Sequence, residues 1–123
     1  MKEKIFAITS LTFIIAAIAF NTVKMHKDID SIHNAVSEIK THEGSEIEKR
    51  MAESAYMLFK TKELFLGLTV NHDDLSNIEE GFAEIIGYLS VGNTDEATVT
   101  KNRLLDSLSH LRRLSGFNID AII

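Results

Sequence analysis

The chain has 123 residues, of which 45% are hydrophobic and 25% are charged, and its formal net charge is −5. An acidic chain of this size excludes binding to nucleic acid phosphates, which would repel it, and leaves room for one small domain beside a membrane segment. The absence of cysteine excludes disulfides, thiolate zinc sites and cysteine nucleophiles. The absence of proline leaves long helices uninterrupted and predicts an all-α protein.

The first predicted element is a membrane helix over residues 5–23, which carry no charge and lie between Lys4 and Lys24. At about 1.5 Å per residue this helix covers roughly 28 Å, close to the roughly 30 Å hydrocarbon core of a bilayer. More than half of its residues are Ile, Leu, Phe or Val, each of which favours insertion by about 0.3 to 0.6 kcal/mol near the bilayer centre. We therefore expect residues 1–23 to anchor the chain in the lipid bilayer of a cell membrane.

A cleaved secretory signal is the alternative, because lysines precede the apolar run and Ala17-Ile18-Ala19 has the small-x-small form of a cleavage site. Against cleavage, the run is longer than a typical signal core, and an apolar stripe at 3-4 spacing passes through Ala19 without a break. The stripe comprises Ile8, Leu11, Ile15, Ile18, Thr22, Met25, Ile29, Ile32, Val36 and Ile39. We favour an uncleaved single-pass anchor. Lysine counts nearly balance across it, and the signal-like start favours an extracytoplasmic body.

The membrane segment also carries a candidate packing face, formed by the small residues Thr9, Thr12, Ala16 and Ala19 at their own 3-4 spacing. Small residues let another helix backbone approach closely, whereas apolar bulk gives no net attraction between helices already in lipid. The pattern predicts that a second copy of the chain or a different membrane protein packs here. The alternative is that alanine and threonine are merely tolerated at these positions.

The body, residues 24–123, is predicted to be a small antiparallel bundle of about four helices. Its first helix continues the membrane helix to Thr41 and breaks at residues 42–44, where Gly44 suits a left-handed helix end. Ser45 and Glu48 form a capping box for the second helix, which is predicted to end between Leu66 and Val70. Its predicted buried side chains are Ile47, Met51, Ala55, Leu58 and Phe65, with Ala52, Phe59 and Leu66 widening the stripe.

The polar run over residues 71–74 predicts the cap of a third helix, because Asn and Asp side chains accept the free amides of a first helical turn. Gly81 and Gly87 lie inside this helix, and each costs it up to about 1 kcal/mol relative to alanine. We therefore expect another backbone to come close at both positions. The predicted buried side chains are Leu75, Ile78, Phe82, Ile85, Ile86 and Leu89.

A leucine-rich fourth helix is predicted to start after Gly92-Asn93, with Thr94 as its cap, and to end before Gly116. Its predicted buried side chains are Ala97, Leu104, Leu105, Leu108, Leu111 and Leu114. The apolar tail over residues 117–123 is predicted to fold back and close the end of the bundle, because an exposed apolar tail would favour aggregation.

The order of these parts resembles a known family of small proteins. The chain runs from a lysine-bearing start through one membrane helix into LFLGLTVNHDDLSNIEEGFAEIIGYLSVGNTDEA and a leucine-rich final helix. This resembles domain of unknown function 4363 (DUF4363), small bacterial proteins with one N-terminal membrane helix and a helical body. Its most specific part is residues 72–89, where a His-Asp-(Asp/Glu)-(Leu/Ile)-x-x-Ile-Glu pattern opens the third helix. The resemblance implies this fold and supplies no activity or catalytic residue.

No catalytic motif is present in the sequence, so we expect no enzyme activity, no cofactor and no metal site. His72, Asp73 and Asp74 could ligate a metal, but three adjacent residues at a helix start do not converge easily on one ion, and helix capping explains them. His26 and His33 lie seven residues apart, about 10 Å along a helix, too far for a shared ion.

Two functions fit these features. The first, which we favour, is a membrane-anchored interaction or scaffolding module that binds or stabilises another membrane or envelope protein. The second is a small ligand-sensing bundle, in which aromatic side chains would line a pocket. Those aromatic positions are Tyr56, Phe59, Phe65, Phe82 and Tyr88.

Overall fold

A computed structural model contains four helices, α1 (Lys2–Ser37), α2 (Glu46–Gly67), α3 (His72–Ser90) and α4 (Thr94–Ile122). It describes residues 1–42, 45–68 and 70–122, with side chains as far as Leu114. These described residues contain no strand, which confirms the all-α class. The predicted architecture, a long apolar helix that continues into a bundle of four helices, is also confirmed.

The helices form a square bundle in which each one packs on two neighbours. Helix α1 packs on α2 and α4, and α3 packs on the same two helices from the opposite corner, with α1 and α2 the least extensively packed pair. Contacts between distant residues fix an antiparallel arrangement: Lys62 of α2 meets Asp28, and Arg112 of α4 meets Asp30. The chain therefore runs up, down, up and down.

Helix α1 has two parts with different surroundings. Its 36 residues extend for roughly 54 Å, longer than any bundle formed by the shorter helices α2 and α3. The predicted stripe is exposed as far as Ile18 and becomes fully buried from Met25 onward. In the bundle it joins one continuous core with Ala52, Ala55, Phe59, Leu66, Leu75, Ile78, Phe82, Ile85, Leu89, Ala97, Leu104, Leu108 and Leu111.

The end of α1 differs from the prediction. The helix ends at Ser37 rather than Thr41, although Ile39 remains fully buried in the connection that follows. Thr41 is buried as well, and its hydroxyl lies 2.6 Å from that of Thr98 at the start of α4. This contact ties the connection to the start of α4. Gly44 lies outside the described residues.

Helix α2 begins at the predicted cap, and its core face is shifted to one side of the predicted stripe. The Ser45 hydroxyl accepts a hydrogen bond from the Glu48 backbone amide at 3.3 Å, and the helix ends at Gly67 within the predicted range. The core face is centred on the three side chains expected only to widen it, Ala52, Phe59 and Leu66. Ile47, predicted to be buried, is 69% exposed. The buried side of α2 is therefore rotated away from α1 and toward α3.

The caps of α3 and α4 both use asparagine. Asn71 accepts a hydrogen bond from the Asp73 amide at 3.0 Å, which confirms the predicted cap of α3. Asn93, not Thr94, caps α4 by accepting from the Glu96 amide at 3.3 Å, because Thr94 is already in the helix. Between the helices Gly92 adopts a φ of +73°, a backbone conformation that glycine takes at little cost.

Helix α4 does not end before Gly116 but runs to Ile122. A single glycine weakens a helix without stopping it, so the predicted end was wrong. Of its predicted buried side chains, Leu105 is half buried and Leu114 is exposed, because both lie at the edge of the stripe that faces the core. The side chains of the apolar tail lie outside the described part of the chain, and their closing of the bundle stays a prediction.

The two glycines of α3 have different roles. Gly81 is buried, and a methyl group added there would lie 2.9 Å from Leu104 Cδ1, so α4 packs directly on its backbone through a leucine side chain. Gly87 is exposed, and an added methyl group would meet nothing within 4 Å. Close approach explains Gly81, although the neighbour is a side chain rather than a backbone, and the prediction for Gly87 is wrong.

Candidate interaction surfaces

The predicted packing face of the membrane helix lies on the part of α1 that projects from the bundle. Thr9, Thr12, Ala16 and Ala19 are all exposed. The Thr12 hydroxyl donates to the carbonyl of Ile8 at 2.8 Å, so it adds no unpaired polar group to this face. Such internal bonding lets threonine serve as a small residue at a contact between membrane helices.

The helix geometry places this face away from the bundle. At 3.6 residues per turn, its centre lies about 150° around α1 from the side that the bundle core covers. The same direction continues above residue 23 as Lys27, Ser31 and Asn34, all exposed and polar. A second helix could therefore pack on the projecting part of α1 without colliding with the bundle, and the apolar contact would end where the polar residues begin.

A charged cluster locks α2 to α1 just beyond the apolar span. Asp28 is buried, and its Oδ1 accepts a hydrogen bond from Lys62 Nζ at 2.9 Å. Lys24 Nζ lies 3.5 Å from Oδ2 and 3.8 Å from the centroid of the Phe65 ring. Two cations thus compensate one buried carboxylate, and the aromatic ring stabilises one of them. This cluster fixes the bundle on α1 within two helical turns of the uncharged segment.

An apolar groove of about 530 Å³ lies between α1 and α2 at the end of the bundle farthest from the projecting helix. Ile47, Met51 and Leu58 supply most of its apolar wall, and Glu38 and Arg50 provide charges. The groove exists because α2 turns its core face toward α3. Residues 47–58 span about 16 Å along α2, the length of three helical turns.

Sequence reasoning missed this groove because it assigned Ile47, Met51 and Leu58 wholly to the core. Ile47 is exposed, and Met51 and Leu58 pack against the core while remaining only partly buried. The available signal was the width of the apolar pattern on α2, since eight apolar positions exceed what one core face needs. A stripe that wide can serve two surfaces, one toward the core and one toward a partner. Only the rotation of α2 shows which residues belong to which surface.

A polar network joins α2 to α3. Lys60 Nζ donates to Glu79 Oε1 at 2.6 Å and to Glu63 Oε2 at 3.1 Å, and the Tyr56 hydroxyl also donates to Glu79. Hydrogen bonds to Glu79 and then Glu63 hold the pKa of Lys60 well above its ordinary range. The hydrogen bond from Lys60, assisted by Tyr56, lowers the pKa of Glu79. Both side chains remain over a third exposed, so the network orients the two helices more than it stabilises them.

A polar cleft of about 430 Å³ separates α3 from α4 on another side of the bundle. Asp74 and Asp106 oppose Arg103 and Arg113 around it, so the charges balance and select neither anions nor cations. Arg103 is also engaged by an ion pair with Glu84. We assign no ligand to this cleft.

The residues weighed as metal ligands are not brought together. His72 and Asp73 are exposed at the start of α3, where Asp73 contributes its amide to the Asn71 cap. His26 and His33 are half buried on α1 and separated by two turns. Among the described residues, no three His, Asp or Glu side chains lie close enough to hold a metal ion.

Three of the five aromatic side chains proposed to line a ligand pocket pack against one another instead. Phe59 and Phe82 are fully buried, with ring centroids 5.6 Å apart. Tyr56 meets Phe82 edge to face at 5.7 Å, and Phe65 lies under Lys24. Rings at these separations fill the core and leave no space for a small molecule between them.

Comparison with protein-family models, with curated proteins and with solved structures returned no match for this chain. The resemblance to DUF4363 therefore stays a prediction.

Proposed function

We propose that this protein is a membrane-anchored interaction module whose bundle holds a helix of another membrane or envelope protein. The observation that carries the proposal is the continuity of α1, one helix that joins an exposed apolar segment to the bundle core. Its apolar window is entirely exposed and long enough to cross a bilayer. A single rigid helix holds the groove at a fixed height above the membrane, so partners in the same membrane would reach it.

The anchor is favoured over a cleaved signal because cleavage after Ala19 would cut α1 in the middle of a helix. The cut would leave the Lys24 and Asp28 cluster within ten residues of a new, fraying end. We place the chain in the cell membrane as a single-pass protein with its body outside the cytoplasm, and we assign it no reaction or cofactor and no nucleic acid partner. A second copy or another membrane helix would pack on Thr9, Thr12, Ala16 and Ala19.

The occupant that best fits the groove is an amphipathic helix of about three turns. Its apolar face would lie on Ile47, Met51 and Leu58, in the manner of helices that bind in hydrophobic grooves. Methionine in the wall adapts to side chains of several shapes. Glu38 and Arg50 offer one charge of each sign, which favours a helix with complementary charges beside its apolar face and fixes its direction.

The test uses the absence of cysteine, which makes any introduced cysteine unique. Ser54 lines the groove and is exposed, so Ser54→Cys can carry a photoactivated cross-linker on the full chain in its native membranes. We expect one discrete adduct, and mass spectrometry should map the attachment to an amphipathic helix of another membrane protein.

The matched pair Ile47→Glu and Met57→Glu supplies the control. Both side chains are exposed on α2, but only Ile47 lines the groove. Glutamate in the first turn suits the helix dipole, so Ile47→Glu should fold normally. It should abolish the Ser54→Cys adduct, whereas Met57→Glu should leave the yield unchanged. Equal yields in both variants, or cross-linking to lipid alone, would remove the groove from the proposal.

A further inference from the structure

Two exposed leucines at the end of α2 are not used by the groove or by the core. Leu64 is 83% exposed and Leu68 is 80% exposed. They lie four residues apart and therefore on one face of the helix, directed away from the core formed by Phe59 and Leu66. A single exposed leucine is common on protein surfaces and needs no explanation. Two exposed leucines at this end of the bundle do need one, because of where they lie along the molecule.

The register between α1 and α2 shows how far along the membrane helix this end of the bundle reaches. Lys62 lies opposite Asp28, and Phe65 lies opposite Lys24. Antiparallel helices rise equally per residue, so Leu68, three residues beyond Phe65, lies level with Asn21 or Thr22. Both of those residues belong to the uncharged segment 5–23. The end of α2 thus reaches the level at which the apolar span begins.

The outer face of α2 becomes apolar in the same direction. The exposed polar residues Glu53, Lys60 and Thr61 lie farther from the span on this side, with Met57 among them. The charge of Lys60 is held by Glu79 and Glu63. Leu64 and then Leu68 follow on this face, and Leu68 begins the turn into α3. Polar groups give way to apolar ones as α2 approaches the span, as at the boundary between water and a bilayer.

We propose that Leu64 and Leu68 insert into the interfacial region of the bilayer beside α1. The inference rests on the proposed anchoring of α1 and adds a second point of attachment. Insertion removes two leucine side chains from water and holds the bundle against the membrane in one orientation. With α1 as the first contact and the end of α2 as the second, the bundle cannot rotate freely about the anchor.

The test compares spin labels at single cysteines in the full chain reconstituted into phosphatidylcholine and phosphatidylglycerol vesicles. The labelled variants are Leu68→Cys, Leu64→Cys and Met57→Cys, three exposed positions on the outer side of one helix. Each label is read for its accessibility to oxygen, which concentrates in lipid, and to a water-soluble nickel chelate. We expect the ratio of oxygen to nickel accessibility to rise from Met57 to Leu64 to Leu68.

Ile15→Cys tests the anchor separately, because Ile15 lies near the middle of the span. A lipid-exposed label at Ile15 with Leu68 as accessible to nickel as Met57 would overturn the inference and leave the anchor intact. A water-exposed label at Ile15 would overturn the anchor and the inference with it. Low accessibility of Leu68 to both reagents would also overturn the inference, since it would show that protein, not lipid, covers this end.

Discussion

The two parts of helix α1 carry the same apolar stripe, but the stripe is exposed in the projecting part and buried in the bundle part. Ile15 in the projecting part is 57% exposed, whereas Ile32 in the bundle part is fully buried, although both belong to one 3-4 stripe. What separates them is the opposite side of the helix: it is apolar around Ile15 and polar around Ile32, where Ser31 and Asn34 face water. A stripe alone therefore does not identify a core helix, because the residues on its far side determine which solvent the helix suits.

Of the substitutions considered for α1 and the bundle, Ile32→Asp should destabilise the protein most. It places an unpaired carboxylate in a fully buried site and should cost at least about 4 kcal/mol, a large share of the roughly 5–15 kcal/mol by which a small domain is stable. Thermal unfolding of the full chain in detergent micelles, followed by circular dichroism, should show loss of the bundle transition. Asn34→Asp, two residues away on the exposed side of α1, should cost less than about 1 kcal/mol, the unfavourable interaction of a carboxylate with the end of the helix. An unchanged melt for Ile32→Asp would mean that the bundle does not use this stripe.

Substitutions at the junction between the two parts of α1 should destabilise the bundle less than Ile32→Asp does. Asp28→Asn removes the buried charge shared by Lys62 and Lys24 and should cost about 1–3 kcal/mol, because Lys62 loses a hydrogen bond to a charged partner. Asp30→Asn makes the same chemical change at the ion pair with Arg112, where both side chains are half exposed, and should cost less than about 1 kcal/mol. Chemical denaturation midpoints would rank the two variants. The reverse order would mean that the junction is not held by its charges.

Replacing the two glycines of α3 by alanine should change the stability of the bundle by different amounts. Gly87→Ala meets no neighbour and should stabilise α3 by up to about 1 kcal/mol, the difference in helix propensity. Gly81→Ala gains the same propensity but pushes against Leu104 in the core, so it should stabilise less or destabilise. Melting temperatures of the two variants measured side by side provide the check. A larger gain at Gly81 would show that α3 and α4 can separate easily.

The polar network between α2 and α3 should give a weaker, pH-dependent effect. The pKa of Glu79 is lowered below its ordinary value of 4.5, so its contribution is present above that pH and is lost as the pH falls through the lowered value. The pKa of Lys60 is raised, so its contribution persists at neutral pH and is lost only in strong base. Glu79→Gln should melt slightly below the parent at pH 7, and the two curves should converge at acidic pH. A difference in melting temperature that does not change with pH would show that the effect comes from packing and not from charge.

The projecting part of α1 should show no stability effect at all. Ala16→Leu keeps the segment apolar and should leave the melt of the bundle unchanged, because no described residue of the bundle contacts Ala16. It should instead reduce cross-linking between membrane helices in intact membranes, since leucine blocks the close approach that small residues allow. Ile14→Leu, on the same exposed segment, is the control. Identical adducts and yields for all three proteins would exclude this packing face.

The helical class, the four helices and most of their ends follow from the sequence alone. Its uncharged segment, apolar spacing and capping residues are local features, and local features act through hydrogen bonds and side chains only a few residues apart. The buried side chains from Met25 to Ile39 were predicted correctly for the same reason, although Ile39 lies just beyond the end of α1. The resemblance to DUF4363, the anchored location and the partner remain predictions.

How the helices turn toward one another is visible only in the packed bundle. The sequence could not show that α2 rotates its core toward α3 and leaves Ile47 on a groove, since rotation depends on how all four helices share one core. Nor could it separate Gly81 from Gly87, because the difference is the position of Leu104 on another helix. The level of Leu68 beside the uncharged segment of α1 likewise follows from the register of two antiparallel helices. Such a register is set by contacts between residues distant in sequence, such as Asp28 with Lys62.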